Sequence, residues 1–351
     1  MYNTNTLNSK RILWFDLLRI FATLAVILIH CCSGFQKWAP TEFNWQLCGF
    51  LNGISRWCVP VFVMISGALF LKSEQSINKL FKKNILRIIT AFCFWTVVYG
   101  IFNLVVKKTG LKLALGEMIV GHYHLWFLFM IAGLYLAVPL LKKITESEKL
   151  TAYFLVLSLI FAFIIPMGID FLSLISESFA NPLEKISDNI NLKIVCGYTG
   201  YFVLGYFLSK TDFSIKQRKL IYIASALGFA ATVVLSAAFS YLKNTTVDMF
   251  YGYFSLTVLL EAAGVFTLFK YGKFKFAQKH EKAVFALSKY SFGVYLVHPL
   301  VLETLSDVFG LSVKTVNPLI SVPVTFIIAI TVSTAVSAVI NHIPVLKKYI
   351  V

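Results

Sequence analysis

Apolar residues along this chain come in long unbroken runs, separated by short polar clusters. A helix that crosses the roughly 30 Å hydrocarbon core of a bilayer needs about 20 mostly apolar residues. Ten runs approach or exceed that length: 12–33, 46–71, 84–107, 124–142, 150–170, 193–209, 218–241, 250–270, 283–305 and 316–341. The sixth is the shortest and is broken by glycines. Membrane barrel strands alternate polar and apolar positions, and these runs do not, so helices are expected. The first run carries Asp16, Arg19 and His30 and ends without a small-residue cleavage pattern. It therefore reads as a span and not as a cleaved leader. The pattern predicts an all-α integral membrane bundle of about ten transmembrane helices.

Composition agrees. Of the residues, 58% are hydrophobic and only 14% charged, against about 45–50% and about 25% in soluble globular domains. The 33 phenylalanines suit a lipid-facing surface.

Lys and Arg set the orientation, because cytoplasmic segments retain them. With the N-terminus inside, 21 of the 32 basic residues fall in inside segments, eight outside and three within spans. Both termini are expected in the cytoplasm. The formal charge of +16 is then mostly a topology signal. Its scatter over loops and tails does not suggest nucleic acid. The longest loop, about 170–192, is outside and too short for a folded module. One domain over 1–351 is expected, with no appended soluble domain. The six cysteines form no Cys-x-x-Cys pair and read as small apolar residues. No metal-binding pattern is present, and no metal is expected.

Polar residues inside spans are costly and mark function by default. Arg19 and His30 are eleven residues apart, three turns plus about 20°, so they share one helix face about 16 Å apart. Asp16 lies one turn before Arg19 and can pair with it. On the residues alone, Arg19 can also snorkel to the inner surface, with His30 marking the outer interface. Ser55 and Arg56 sit in the second span, His124 opens the fourth, Glu261 is mid-span in the eighth, and Lys289 and His298 lie in the ninth. Allowing for alternating direction, His30, Arg56, His124 and His298 fall in the central or outer half. Asp16, Arg19 and Lys289 fall in the inner half. His122 reads as a loop residue.

These residues carry a resemblance. Arg19 and His30 match the Arg-x10-His motif of the membrane acyltransferase family 3. The blocks SRWCVPVFVMISG (55–67), YHLWFLFMIAGLYLAVPLL (123–141) and LSKYSFGVYLVHPLV (287–301) resemble that family in the same order. The stretch 145–285 is similar only loosely. The resemblance implies transfer of an acyl group, most often acetyl, from cytoplasmic acetyl-CoA to a hydroxyl of an envelope glycan or lipid-linked sugar. Asp16, Arg19 and His30 become the expected catalytic set. Ser55, Arg56, His124, Glu261, Lys289 and His298 become the expected substrate-binding set. The implied partners are acyl-CoA, the glycan acceptor and the bilayer, with the oligomeric state, a homo-oligomer included, left open. His30 is expected to act as general base or as nucleophile. A transporter or flippase of a polar lipid, sugar or amino acid is the alternative, although no inverted repeat supports it.

Overall fold

The computed structural model describes residues 11–74 and 76–351; Lys10, counted above among the inside basic residues, lies outside them. All regular structure among the described residues is helical. The main elements are α1 (Leu13–Cys31), α2 (Phe43–Gly53), α3 (Cys58–Phe70), α4 (Leu80–Val105), α5 (Leu111–Val120), α6 (Trp126–Thr145) and α7 (Glu148–Ile175). They continue with α8 (Glu177–Ile190), α9 (Leu192–Lys210), α10 (Ile215–Lys243), α11 (Leu256–Tyr271), α12 (Glu281–Asp307), α13 (Pro318–His342) and the short α14 (Pro344–Tyr349). Nine helical segments among the described residues are long and apolar enough to cross a bilayer. The helices α8 and α9 form a pair bent by 70°, which brings the number to ten when the pair is counted as one span. The chain is an integral membrane helical bundle.

Two expected boundaries change. The run 46–71 is not one helix: α2 and α3 are separated by a tight turn over residues 54–57. Cys58 donates there to the Ser55 carbonyl at 3.2 Å, and the Ser55 hydroxyl donates back to the Leu51 carbonyl at 2.8 Å. Pro60 lacks an N–H, which costs nothing in the first turn of α3 but would interrupt a continuous helix. The expected loop 170–192 is also helical. It is built by the end of α7 and by α8, which carries Glu184, Ser187 and Asp188.

Lipid tails are as apolar as leucine, so membrane helices associate through close packing of small residues and not through hydrophobic burial. The structure uses this device at its centre. A Cβ on Gly67 of α3 would lie 1.8 Å from the Phe202 carbonyl oxygen of α9. A Cβ on Gly205 of α9 would lie 2.0 Å from the Met64 carbonyl oxygen of α3. The two backbones touch there.

Helix ends sort into two groups. At one end Arg11, just before α1, reaches the Phe285 carbonyl of α12, and Thr90 of α4 donates to the Tyr349 carbonyl of α14 at 2.6 Å. Both described ends of the chain lie here, with Lys82, Lys83, Lys347 and Lys348 nearby. At the other end are His30, Lys107, His122 and Glu303.

Candidate active site

A cavity of about 410 Å³ runs inside the bundle between these two ends. Its walls come from α1, α3, α4, α6 and α12, with Tyr253 from the segment before α11. Arg19 and His30 both line it, so the face they share on α1 is a chamber wall. Between them the lining is apolar and aromatic, with Phe62, Phe70, Phe127, Ile131 and Phe292. The chamber is therefore charged at one end, greasy along its length and rich in imidazole at the other.

At the basic end Arg19 is held in place. Its Nη1 donates to Asp16 Oδ1 at 3.1 Å and to Ser288 Oγ at 3.0 Å, and the Ser288 hydroxyl donates to the same Asp16 oxygen. Asp16 is buried, which fits a carboxylate that orients the guanidinium. Lys83 and Arg87 of α4 line the chamber beside it. Arg87 Nε is buried without a hydrogen-bond partner, and its guanidinium lies 5.1 Å over the Phe292 ring. Both residues also face a second cavity of about 600 Å³ at the membrane edge, lined by Lys82, His342, Lys347 and Lys348 and by no carboxylate. Lys83 and Arg87 thus line both spaces.

At the far end the break between α2 and α3 supplies Arg56. Non-helical backbone at membrane depth is tolerated where it lines a cavity. Arg56 Nε donates to the Tyr251 carbonyl, and its guanidinium lies 4.5 Å over the Tyr253 ring. His30 faces the chamber with its ring 5.0 Å from His298 and 5.5 Å from Tyr123. His298 is fully buried behind it, and Pro299 explains its pose. The missing N–H of Pro299 frees the Tyr295 carbonyl one turn earlier, and His298 Nδ1 donates to that oxygen at 2.7 Å. Tyr99 enters the same loosened turn: its hydroxyl donates to the Leu296 carbonyl at 2.8 Å and accepts from Leu300 N–H at 3.2 Å. His298 Nε2 is left buried and unpartnered.

His124 completes the group. It is buried, lines the chamber, and its ring lies 5.9 Å from His298. Its Nε2 is also without a partner. The expected loop residue His122 joins it: His122 Nδ1 lies 3.0 Å from His124 Nδ1, and its ring stacks on Tyr99 at 4.1 Å.

Of the residues expected from sequence, Arg19, His30, Arg56 and His124 line the chamber, with Asp16 and His298 directly behind them. Three do not reach it. Ser55 spends its hydroxyl on its own helix. Lys289 is exposed on the outer surface of α12, beside Lys347. Glu261 is fully buried between helices, with Oε1 accepting from Thr232 at 2.5 Å. The sequence reading missed Lys83, Arg87, His122 and Glu303. Arg87 carried a signal, because an arginine inside ILRII is a charge in an apolar run. His-x-His at 122–124 carried another.

Among the described residues, no group of three or more His, Cys, Asp or Glu side chains is placed to hold a metal ion. Searches of curated proteins and of solved structures returned no match. A family model described as an acyltransferase domain matches residues 12–342, nearly the whole chain and all of the chamber. The chain belongs to the acyltransferase 3 family of membrane acyltransferases.

Proposed function

We propose that this protein is a multi-pass inner-membrane O-acetyltransferase that takes acetyl from cytoplasmic acetyl-CoA and places it on a hydroxyl of an envelope glycan or lipid-linked sugar. The observation that carries the reading is one cavity joining Arg19 and Arg87 at the basic end to His30 and His124 at the other. Coenzyme A is phosphorylated at one end and carries its thioester on a long, narrow pantetheine arm. The basic mouth, with Lys82, Lys83, Arg87, Lys347 and Lys348 and no opposing carboxylate, suits the phosphates. The apolar chamber suits the arm. The roughly 16 Å between Arg19 and His30 along α1, at 1.5 Å per residue, brings the thioester to the histidines. The surplus of basic residues around this mouth supports a cytoplasmic position for it by the positive-inside rule.

His30 acts at the thioester as general base or as nucleophile. The motif blocks also resemble the O-acetyltransferase of enterobacterial common antigen synthesis, which motivates the choice of an envelope sugar as acceptor. Purified protein in vesicles, supplied with acetyl-labelled acetyl-CoA and an envelope glycan fraction, is expected to move label into glycan. Movement of CoA or sugar across the vesicle without acetylation would overturn the enzyme reading in favour of transport. A cysteine placed at Lys243 is expected to react with an impermeant reagent from outside, and one at Lys275 is not. The reverse pattern would move the donor side to the other face.

A further inference from the structure

We infer that Lys107, Glu303 and His122 form a relay that locks the tautomer of His124, making its Nε2 the atom that takes the proton from the acceptor hydroxyl. The inference rests on the acyltransferase reading for its chemistry, and on hydrogen-bond accounting for its geometry.

The chain of contacts is short and leaves few choices. Lys107 Nζ lies 2.9 Å from Glu303 Oε2, and Glu303 Oε1 lies 2.9 Å from His122 Nε2. An ionised carboxylate only accepts, so His122 Nε2 carries the hydrogen. In the neutral imidazole, His122 Nδ1 is then the bare lone pair. It lies 3.0 Å from His124 Nδ1, so with His122 neutral, His124 is the donor in that contact. The neutral His124 ring then has its lone pair on Nε2. That atom is buried, has no protein partner and belongs to a residue lining the chamber. Everything else around the ring holds it still: Tyr295 Oη donates to the His124 carbonyl, and the Tyr99 ring packs edge-on at 5.1 Å. A buried lone pair without a donor is costly unless a substrate supplies one, and a sugar hydroxyl is such a donor.

The step balances without a further reactant. The hydroxyl oxygen bonds to the acyl carbon as its proton passes to His124 Nε2. With His124 as the base, His30 takes the nucleophile role: it first carries the acetyl group, its ring proton having passed to the CoA sulfur, which leaves as free thiol. The acyl carbon then releases the His30 nitrogen, and His124 returns the proton to that nitrogen. Free CoA thiol, the acetyl ester and neutral His30 result. His124 touches the substrate; His122, Glu303 and Lys107 are positioning residues that act through it.

Glu303→Gln tests the lock. The ammonium of Lys107 needs an oxygen, so the amide turns its oxygen to Lys107 and its NH2 to His122. The relay then runs backwards and leaves a hydrogen on His124 Nε2. The measurements are ¹⁵N-histidine spectra of the full-length purified protein, and acetyl transfer from acetyl-CoA to an envelope glycan fraction. In the wild type, His124 Nε2 should give a lone-pair signal. In Glu303→Gln it should become protonated, with kcat lower by about 10²–10⁴-fold, the range for loss of a positioned base, and KM for acetyl-CoA unchanged. Adding Lys107→Met frees the amide to turn its oxygen back to His122, and should recover kcat to within about tenfold of wild type. A protonated His124 Nε2 in the wild type, a Glu303→Gln enzyme with normal kcat, or a loss that Lys107→Met does not rescue would each overturn the relay. The spectra need no substrate, so they judge the relay even where wild-type protein fails to acetylate and the enzyme reading itself falls.

Discussion

The two ends of the chamber are built on opposite principles. At the basic end, charge is abundant and loosely committed: Arg87 Nε has no partner, and the adjoining cavity has five lysine and arginine side chains with no carboxylate. At the histidine end, the His124 and His298 rings are each tied through Nδ1 to a specific partner, while their Nε2 atoms stay free. The first arrangement attracts an anion from any direction. The second presents particular atoms at particular angles. Binding a polyphosphate needs total charge, whereas moving a proton needs one lone pair in one place, and the residue types follow that division.

Variants at the two ends should therefore fail differently. The largest effect is expected from His30→Ala, with transfer falling about 10²–10⁴-fold while acetyl-CoA binding, read by calorimetry on folded protein, stays normal. Near-normal transfer by that variant would move the chemistry to His298 or His124. Arg87→Leu should weaken acetyl-CoA by about 10–100-fold, the range for losing a charged hydrogen-bond partner. The same variant should leave S-acetyl-pantetheine, which lacks the nucleotide phosphates, almost unaffected. An equal loss with both donors would place Arg87 in the structure of the bundle and not at the phosphates. Arg19→Lys keeps the charge but loses the Nη1 that reaches both Asp16 and Ser288 and frees the rest of the guanidinium for an anion, so a several-fold rise in KM for acetyl-CoA is expected. A collapse of kcat with KM unchanged would make Arg19 a scaffold for α1 alone. Lys289→Ala should alter neither constant, since its side chain faces away from the chamber.

The helices were legible in the sequence because lipid demands about 20 apolar residues per crossing. The Arg19–His30 face was legible because a single helix has a fixed period. Lys289 was readable in the same way: Ser288, Ser291, Phe292 and Tyr295 form one stripe on α12, and residue 289 lies about 100° off it. The break at residues 54–57 was not legible, because its flanks are as apolar as a continuous span and only Pro60 hints at it. Nor was the partnership of His122 with Glu303, 181 positions later, since nothing local to either residue specifies the other. Glu261 was legible as a charge inside a span, but its place outside the chamber was not, because that depends on how α10 packs against α11, where Thr232 donates to its Oε1.

The contact between Gly67 and Gly205 also carries a consequence in time. One face of α3 lines the chamber, and the face bearing Gly67 lies against the backbone of α9. During synthesis α3 emerges from the ribosome long before α9, with α4 to α8 made in between. Until α9 arrives, α3 has no backing at that glycine, and its face there offers a notch that the α9 backbone at Phe202 later fills. The support of that chamber wall is thus completed late in biogenesis. Chains halted before α9 should insert and span the membrane with α3 still unbacked at Gly67.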